Sequence, residues 1–350
     1  MLAADTKAAG AFLVAASSLE APVSWKQIVE AVEPFLRAVS LRLAEQVDEF
    51  EPEVATYARY ALTNQGKQLR PALVALSAEA TGGVNDVLVT VAAIIEMVHL
   101  ATLVHDDVMD EARVRRRRPT LAVRCGNTTS VLVGDCLFAH ALRLAAGFPT
   151  TDVCRAVASA TKTVCSGEIL QSAREHQLDT SREQYFRVLQ MKTAELFALS
   201  CELGAGLSGA TAAERTALRE YGIALGIAYQ VYDDCVDLFG SEVKVGKSLG
   251  TDLIGGKITL PVIVALERAG TRDRRALEEL LRGWEPQRLP QLRELLQAHG
   301  ALGEAGDVIQ DLCRSARATL SALSPSEGRQ NLARATEFIA QQTEALGTTV

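Results

Sequence analysis

Apolar residues recur at three- and four-residue steps through most of the 350-residue chain, a period that fits helices and little else. Between Trp25 and Phe50, the side chains of Ile28, Val32, Phe35, Leu36 and Val39 share one face. Pro34 interrupts that pattern and marks a helix start or a kink. Val54 to Leu62 predicts a second helix, closed by the polar turn Thr63-Asn64-Gln65-Gly66. Pro71 suits the first turn of a third, Ala72 to Ala80, which Thr81-Gly82-Gly83 ends. Asp86 to Glu111 reads as one long helix, followed by Thr128 to Ala146, Thr151 to Ala173, Ser181 to Leu203 and Ala212 to Phe239. A loop from Gly240 to Gly256, a helix from Leu260 to Ala269 and three or four more helices complete the chain. Loops are expected at Thr271-Arg272-Asp273 and Gly283-Trp284-Glu285-Pro286. Ala and Leu are abundant and aromatics only 5%, which favours helix over strand. No repeat or linker divides the chain, so the expected fold is all-α, a single large helical bundle.

Acidic residues outnumber basic ones, 43 to 36, for a net charge of -7. That balance argues against nucleic acid or an anionic membrane as a global partner. The most apolar stretch, Val87 to Val104, is broken by Glu96 and His99, and no transmembrane segment is expected. Residues 1–20 are expected to be a flexible leader, with only a faint likeness to a signal peptide in Ala11 to Ala16, before a helical domain over 21–350. The seven cysteines are odd in number and lack a C-x-x-C pair. They predict reduced, mostly core thiols in a cytoplasmic protein.

Two acidic clusters carry the chemistry. One is His105-Asp106-Asp107-Val108-Met109-Asp110; the other is Tyr232-Asp233-Asp234-Cys235-Val236-Asp237. Each places aspartates at i, i+1 and i+4, so on a helix the first and last share a face one turn apart. Three neighbouring carboxylates at the end of an apolar helix are costly without a counter-ion. Hard oxygen ligands suit Mg2+, which completes its shell with water and substrate phosphate. An EF-hand is excluded, because its Gly and distal Glu are missing.

Basic residues supply the complement. Lys67 and Arg70 stand three apart in Gly66-Lys67-Gln68-Leu69-Arg70-Pro71, and Arg113 and Arg115 to Arg118 follow the first acidic cluster. Lys192-Thr193, Lys247 and Lys257 add cations beside small residues. Aspartates next to the arginines would repel a nucleic-acid backbone, whereas a metal-bridged diphosphate satisfies both signs.

With these motifs in this order, over Val54 to Ala265, the sequence resembles the trans-isoprenyl (polyprenyl) diphosphate synthase family, and medium- to long-chain members such as octaprenyl diphosphate synthase. The resemblance implies a bundle of the isoprenoid synthase type with a deep central cavity, and head-to-tail, Mg2+-dependent condensation of isopentenyl diphosphate with an allylic diphosphate. It implies that Asp106 and Asp110, with Asp107 in support, hold two Mg2+ ions, and that Asp233, with Asp234 and Asp237 nearby, holds a third. It assigns Arg115, Lys192, Lys247 and Lys257 to the allylic diphosphate, and Lys67, Arg70, His99 and Arg116 to isopentenyl diphosphate. Thr193 and Gln230 would lie near the reacting carbons with Lys192, and Glu168 and Gln171 on a helix lining the metal site. Gln65, Gln68 and Arg117 depart from the family's usual Gly, Arg or Lys, and Gly. A homodimer is implied as well.

In the family that the sequence resembles, bulky aromatics at the positions of Ala101 and Thr102 close the pocket for short products. One helical turn rises about 5.4 Å, roughly one isoprene unit, so the tail is expected to run back along this helix past Val98, Ile95, Ile94 and Val91. The expected product has about thirty to forty-five carbons, about forty being the central value on that ruler. Phe138 is the candidate floor. Alternatives are a geranylgeranyl or farnesyl diphosphate synthase, a class I terpene cyclase, and an inactive partner subunit. A cyclase does not need Lys67, Arg70, His99 and Arg116, and an inactive subunit does not need intact acidic clusters.

Overall fold

The computed structural model describes residues 23–63, 66–242 and 248–347. The helices are α1 (Trp25–Val29), α2 (Glu33–Glu45), α3 (Pro52–Leu62), α4 (Leu69–Glu79), α5 (Asp86–Met109), α6 (Leu121–Ala146), α7 (Asp152–Ser172), α8 (Arg182–Leu189), α9 (Glu195–Gly206) and α10 (Ala212–Phe239). After them come α11 (Thr251–Ile254), α12 (Leu260–Arg268), α13 (Thr271–Arg282), α14 (Leu289–Ala298), α15 (Ala301–Thr319) and α16 (Glu327–Gly347). Two short antiparallel strands, β1 (Val114–Arg115) and β2 (Arg118–Pro119), are the only sheet among the described residues.

α5 packs on α6, α4 on α9, and α10 against both α9 and α15. One apolar cluster runs through them, from Ile28 to Ile339. Helix contacts are close where glycine allows it. A Cβ on Gly222 or Gly226 of α10 would lie 2.6 or 2.7 Å from the Cα of Ala198 or Ala194.

Pro34 stands in the first turn of α2, so it marks a start rather than a kink. Thr271-Arg272-Asp273 is the first turn of α13 and not a loop, since Asp273 suits the positive end of a helix. α6 begins at Leu121, earlier than its period suggested, because the chain breaks at Gly126 (φ 81, ψ 164) and hides the phase. The stretch expected as one helix from Ser181 to Leu203 contains a π-helical turn, Gln190–Ala194, between α8 and α9.

Both α5 and α6 are long and apolar enough to cross a membrane by length and composition, a test that the core helix of a soluble protein also passes. α5 spends its apolar residues inside the bundle: Val91 to Ile95, Met97 and Val98 are at most 1% exposed. Cys201, Cys235 and Cys313 are buried, but Cys136 and Cys165 are exposed and Cys125 and Cys154 lie between, so the thiols are not mostly core. No cysteine is disulfide-bonded. The leader over 1–20 lies outside the described residues, as do Gln65 and Lys247.

Candidate active site

The C-terminal ends of α5 and α10, the α3–α4 turn, the β1–β2 hairpin, α6, α7 and the π-helical turn enclose a cavity of about 870 Å³. Its wall holds Lys67, Arg70, Glu96, His99, Thr102, Asp106, Arg115, Arg116, Glu168, Lys192, Thr193, Gln230 and Asp233. Residues far apart in sequence thus meet at one place.

The six clustered aspartates divide into two sets. Asp106 and Asp233 line the cavity. Asp110, one turn beyond Asp106, receives Lys257 Nζ at 2.9 and 3.1 Å on its two oxygens. The other three are turned into structure. Asp107 is 5% exposed and accepts from Arg115 Nε at 2.6 Å. Asp234 is 4% exposed and accepts from the Tyr185 hydroxyl at 2.6 Å and Gln230 Nε2 at 2.8 Å. Asp237 accepts from Thr251 N and Oγ1 and from Asp252 N, fixing the start of α11. Burial raises the Asp106 carboxyl to about 6, with Glu168 and Asp110 adding to it and Lys192 and Arg115 opposing. Burial thus outweighs the two cations beside it.

The π-helical turn presents Lys192 and Thr193 together. Lys192 Nζ donates to Gln171 Oε1 at 2.8 Å and pairs with Glu168. Thr193 Oγ1 donates to Gln230 Oε1 at 3.0 Å, continuing through Gln230 to Asp234 and Tyr185. Gly167 on α7 lets the turn approach, since a Cβ there would lie 2.8 Å from Lys192 N. Widened turns of this kind often occur at functional sites.

A second group of lining residues is cationic. The buried Nε of Arg70 has no hydrogen-bond partner among the described residues. Its guanidinium carbon lies 5.1 Å from the Phe197 ring centroid. The Arg116 guanidinium lies so close to Gly66 that a Cβ there would be 2.6 Å from Nη2. His99 is held neutral well below its ordinary value by burial, then by Arg70, Arg116 and Arg115. Glu96, 2% exposed, is the buried counter-charge, its carboxyl raised by burial and lowered again by Arg70 and Arg116.

Glu96, Tyr185 and Asp252 were missed as site residues. Glu96 had a signal, a carboxylate inside an apolar helix three residues before His99, which needs a cationic partner. Tyr185 and Asp252 reach the second cluster through long-range packing that local sequence does not show.

The chain-length expectation divides. Thr102 lines the cavity, but Ala101 is 0% exposed and lies outside the lining. Thr102 is four residues from Asp106 and shares its face; Ala101 is rotated into the core. Val98, Ile95, Ile94 and Val91 are likewise buried and outside the cavity lining. The apolar wall comes instead from Val131 and Phe138 on α6 and from Val164, Cys165 and Ile169 on α7. Phe138 stands edge-on to His105, with centroids 5.5 Å apart.

The donor set fits a divalent cation shared with an anionic substrate. Among the described residues, no three His, Cys, Asp or Glu side chains close on one point, so an ion here takes further oxygens from substrate and water.

A family model described as Polyprenyl synthetase matches residues 51–298. A short chain isoprenyl diphosphate synthase of Methanothermobacter thermautotrophicus is 32% identical over 90% of this chain and 99% of its own. A nonaprenyl diphosphate synthase of Mycobacterium tuberculosis is 37% identical over 78% of this chain and 82% of its own. The crystal structure of a polyprenyl synthase from Caulobacter crescentus CB15, complexed with calcium and isoprenyl diphosphate, superposes with a TM-score of 0.85 at 34% identity. It covers 92% of this chain and 98% of that one.

Proposed function

The chain belongs to the polyprenyl synthetase family and is a prenyltransferase, a trans-polyprenyl diphosphate synthase, and from that premise we propose that it condenses isopentenyl diphosphate with an allylic diphosphate, using Mg2+, in the cavity at the ends of α5 and α10. The observation that carries this reading is one cavity lined both by the carboxylates Asp106 and Asp233 and by Lys67, Arg70, His99 and Arg116.

Asp106, Asp110 and Asp233 would hold three Mg2+ ions, with Asp107, Asp234 and Asp237 bracing the helix ends behind them. When bound, the ions neutralise the leaving diphosphate, so that the allylic carbon–oxygen bond ionises. Arg115, Lys192, Lys247 and Lys257 grip that diphosphate. Without substrate, Lys192 and Lys257 rest on Glu168 and Asp110, so binding exchanges these pairs for phosphate contacts. The orphaned Arg70 Nε, with Lys67, neutral His99 and Arg116, takes the isopentenyl diphosphate. Gln230 accepts from Thr193 and donates to Asp234, which leaves the lone pairs of the Thr193 oxygen, in the cavity wall, for the reacting end of the substrate. Apolar walls exclude water from the cation. The proton lost after the new carbon–carbon bond forms goes to the departed diphosphate.

The product is medium to long, about thirty to forty-five carbons, the tail running along the α6 and α7 wall of the cavity rather than back along α5. Thr102 leaves the first turn open, and the apolar wall continues past Phe138 to Ile169, which is 69% exposed. The enzyme acts as a cytoplasmic homodimer. Unpaired cysteines and the outward apolar residues Val123, Val131 and Leu132 of α6 support that reading. The test is incubation with farnesyl diphosphate, isopentenyl diphosphate and Mg2+, with product mass measured. No product from any allylic primer sinks the reading, and a product stopping at fifteen or twenty carbons sinks the length.

A further inference from the structure

The protein's net charge of -7 repels a diphosphate at long range, so an anionic substrate needs local attraction at the mouth of the cavity. The β1–β2 hairpin stands there. Arg115 and Arg116 line the cavity, and Arg113 and Arg117 beside them are exposed. Register pairs Arg115 with Arg118, leaving Arg116 and Arg117 as a two-residue loop. Both are left-handed, with φ of 50° and 63°. Such a loop favours Asn-Gly, and two consecutive arginines strain it.

The surroundings hold the strained turn in place. Arg115 is tied to Asp107, and Thr120 Oγ1 donates to Ala112 O at 2.7 Å. Tyr60 donates its hydroxyl to Pro119 O at 2.6 Å, and the Arg118 and Arg124 guanidinium carbons lie 4.4 and 4.2 Å from its ring centroid. Arg116 is drawn in against Gly66. Arg117 makes no hydrogen bond or ion pair among the described residues, so packing does not account for its presence in the turn.

We propose that Arg117 is an outer substrate contact, which captures the incoming diphosphate group from solvent and passes it to Arg116. The inference rests on the diphosphate-binding reading above. A strained turn that holds a charge outward beside the binding arginines is explained by attraction at a distance, and such attraction is screened by salt.

The test compares wild type, Arg117→Gly and Arg117→Lys from low to high ionic strength. Arg117→Gly should lower kcat/KM for isopentenyl diphosphate about three- to tenfold at low salt, the loss falling in KM and shrinking at high salt. Arg117→Lys should restore most of it. Relief of strain should raise the Tm of Arg117→Gly by about 1–2 °C. A second arm follows the stopped-flow association of inorganic pyrophosphate by tryptophan fluorescence. Trp25 reports there, because its Nε1 donates to Lys67 O at 3.3 Å. Wild-type turnover with equal kcat/KM and equal salt slopes in Arg117→Gly overturns the proposal and leaves the functional reading standing. If wild type fails to turn over, that reading fails, and the pyrophosphate rates still decide the capture role: equal rates in the two proteins overturn it.

Discussion

At the scale of single residues, spacing identified the acidic clusters but not the use of each oxygen. Asp106 and Asp110 were legible as one face of α5, and Asp233 as the start of the second cluster. Asp237 has the same i+4 relation, yet its carboxylate meets Thr251 and Asp252, because the chain turns back after Phe239. Nothing local encodes that return. The two sets of aspartates separate experimentally. Asp106→Ala and Asp233→Ala should lose at least about 99% of turnover and keep the wild-type Tm, since each removes a proposed metal ligand from the cavity wall. Activity retained in either at saturating Mg2+ rules out the metal assignment. In the cationic group, Arg70→Ala and His99→Ala should raise KM for isopentenyl diphosphate more than for the allylic substrate. Equal effects on both substrates would sink the division of the sites. His99 also makes a pH statement. Its folded value is depressed below the ordinary 6.5. As pH falls below 6.5 the unfolded chain takes up a proton that the folded protein refuses, so stability declines by up to about 1.4 kcal/mol per unit until the folded value is reached. The His99 ring, identified in NMR spectra by its loss in His99→Gln, should therefore show no titration between pH 8 and 6 in ligand-free protein. A midpoint near 6.5 would contradict the buried, arginine-flanked environment.

At the scale of elements, helix positions followed from the apolar period, while departures from ideal helix did not. The π-helical turn at Gln190–Ala194 has the apolar phase of an ordinary helix on either side, and only packing against α7 exposes it. The Arg116–Arg117 turn escaped because arginine is a poor indicator of a left-handed loop. Two substitutions test what these elements do. Gly167→Ala places a methyl group against the backbone of Lys192 and should cost about 1–3 kcal/mol, read as a lower Tm, together with a weaker grip on the allylic diphosphate, read as a higher KM. An unchanged Tm would show that α7 and the turn part without cost. On α5, Thr102→Phe enters the cavity and should shorten the product. Ala101→Phe meets the core, where overpacking costs about 1–3 kcal/mol, and should lower stability before it changes product length. Shortening by Ala101→Phe alone, at wild-type Tm, would restore the ruler read from sequence and overturn the lining described here.

At the scale of the molecule, α6 presents a conflict that the proposed second copy would resolve. It is among the most apolar helices of the chain, yet less of it is buried than of α5. Val123, Val131 and Leu132 are 50%, 40% and 58% exposed, and Cys136 and Ala139 follow on the outer face. An apolar helix face this long marks an interaction surface, and self-association about a two-fold axis covers such a face on both copies at once. The same face borders the cavity: Val131 lines it, and Ile169 of α7, also lining it, is 69% exposed. The proposed dimer would therefore cover the side of the cavity that Val131 and Ile169 line, and assembly and product length should change together. Leu132→Arg puts a charge on the outer face without touching the cavity wall. In sedimentation velocity at micromolar concentration, wild type should run at twice the chain mass and Leu132→Arg at one. At protein concentrations where only the variant is monomeric, its products should spread over more lengths than the wild type's, because the tail meets water instead of a partner surface. A wild-type monomer removes the dimer. A dissociated variant with an unchanged product spectrum keeps the dimer and shows that the α6 and α7 walls of one chain contain the tail by themselves.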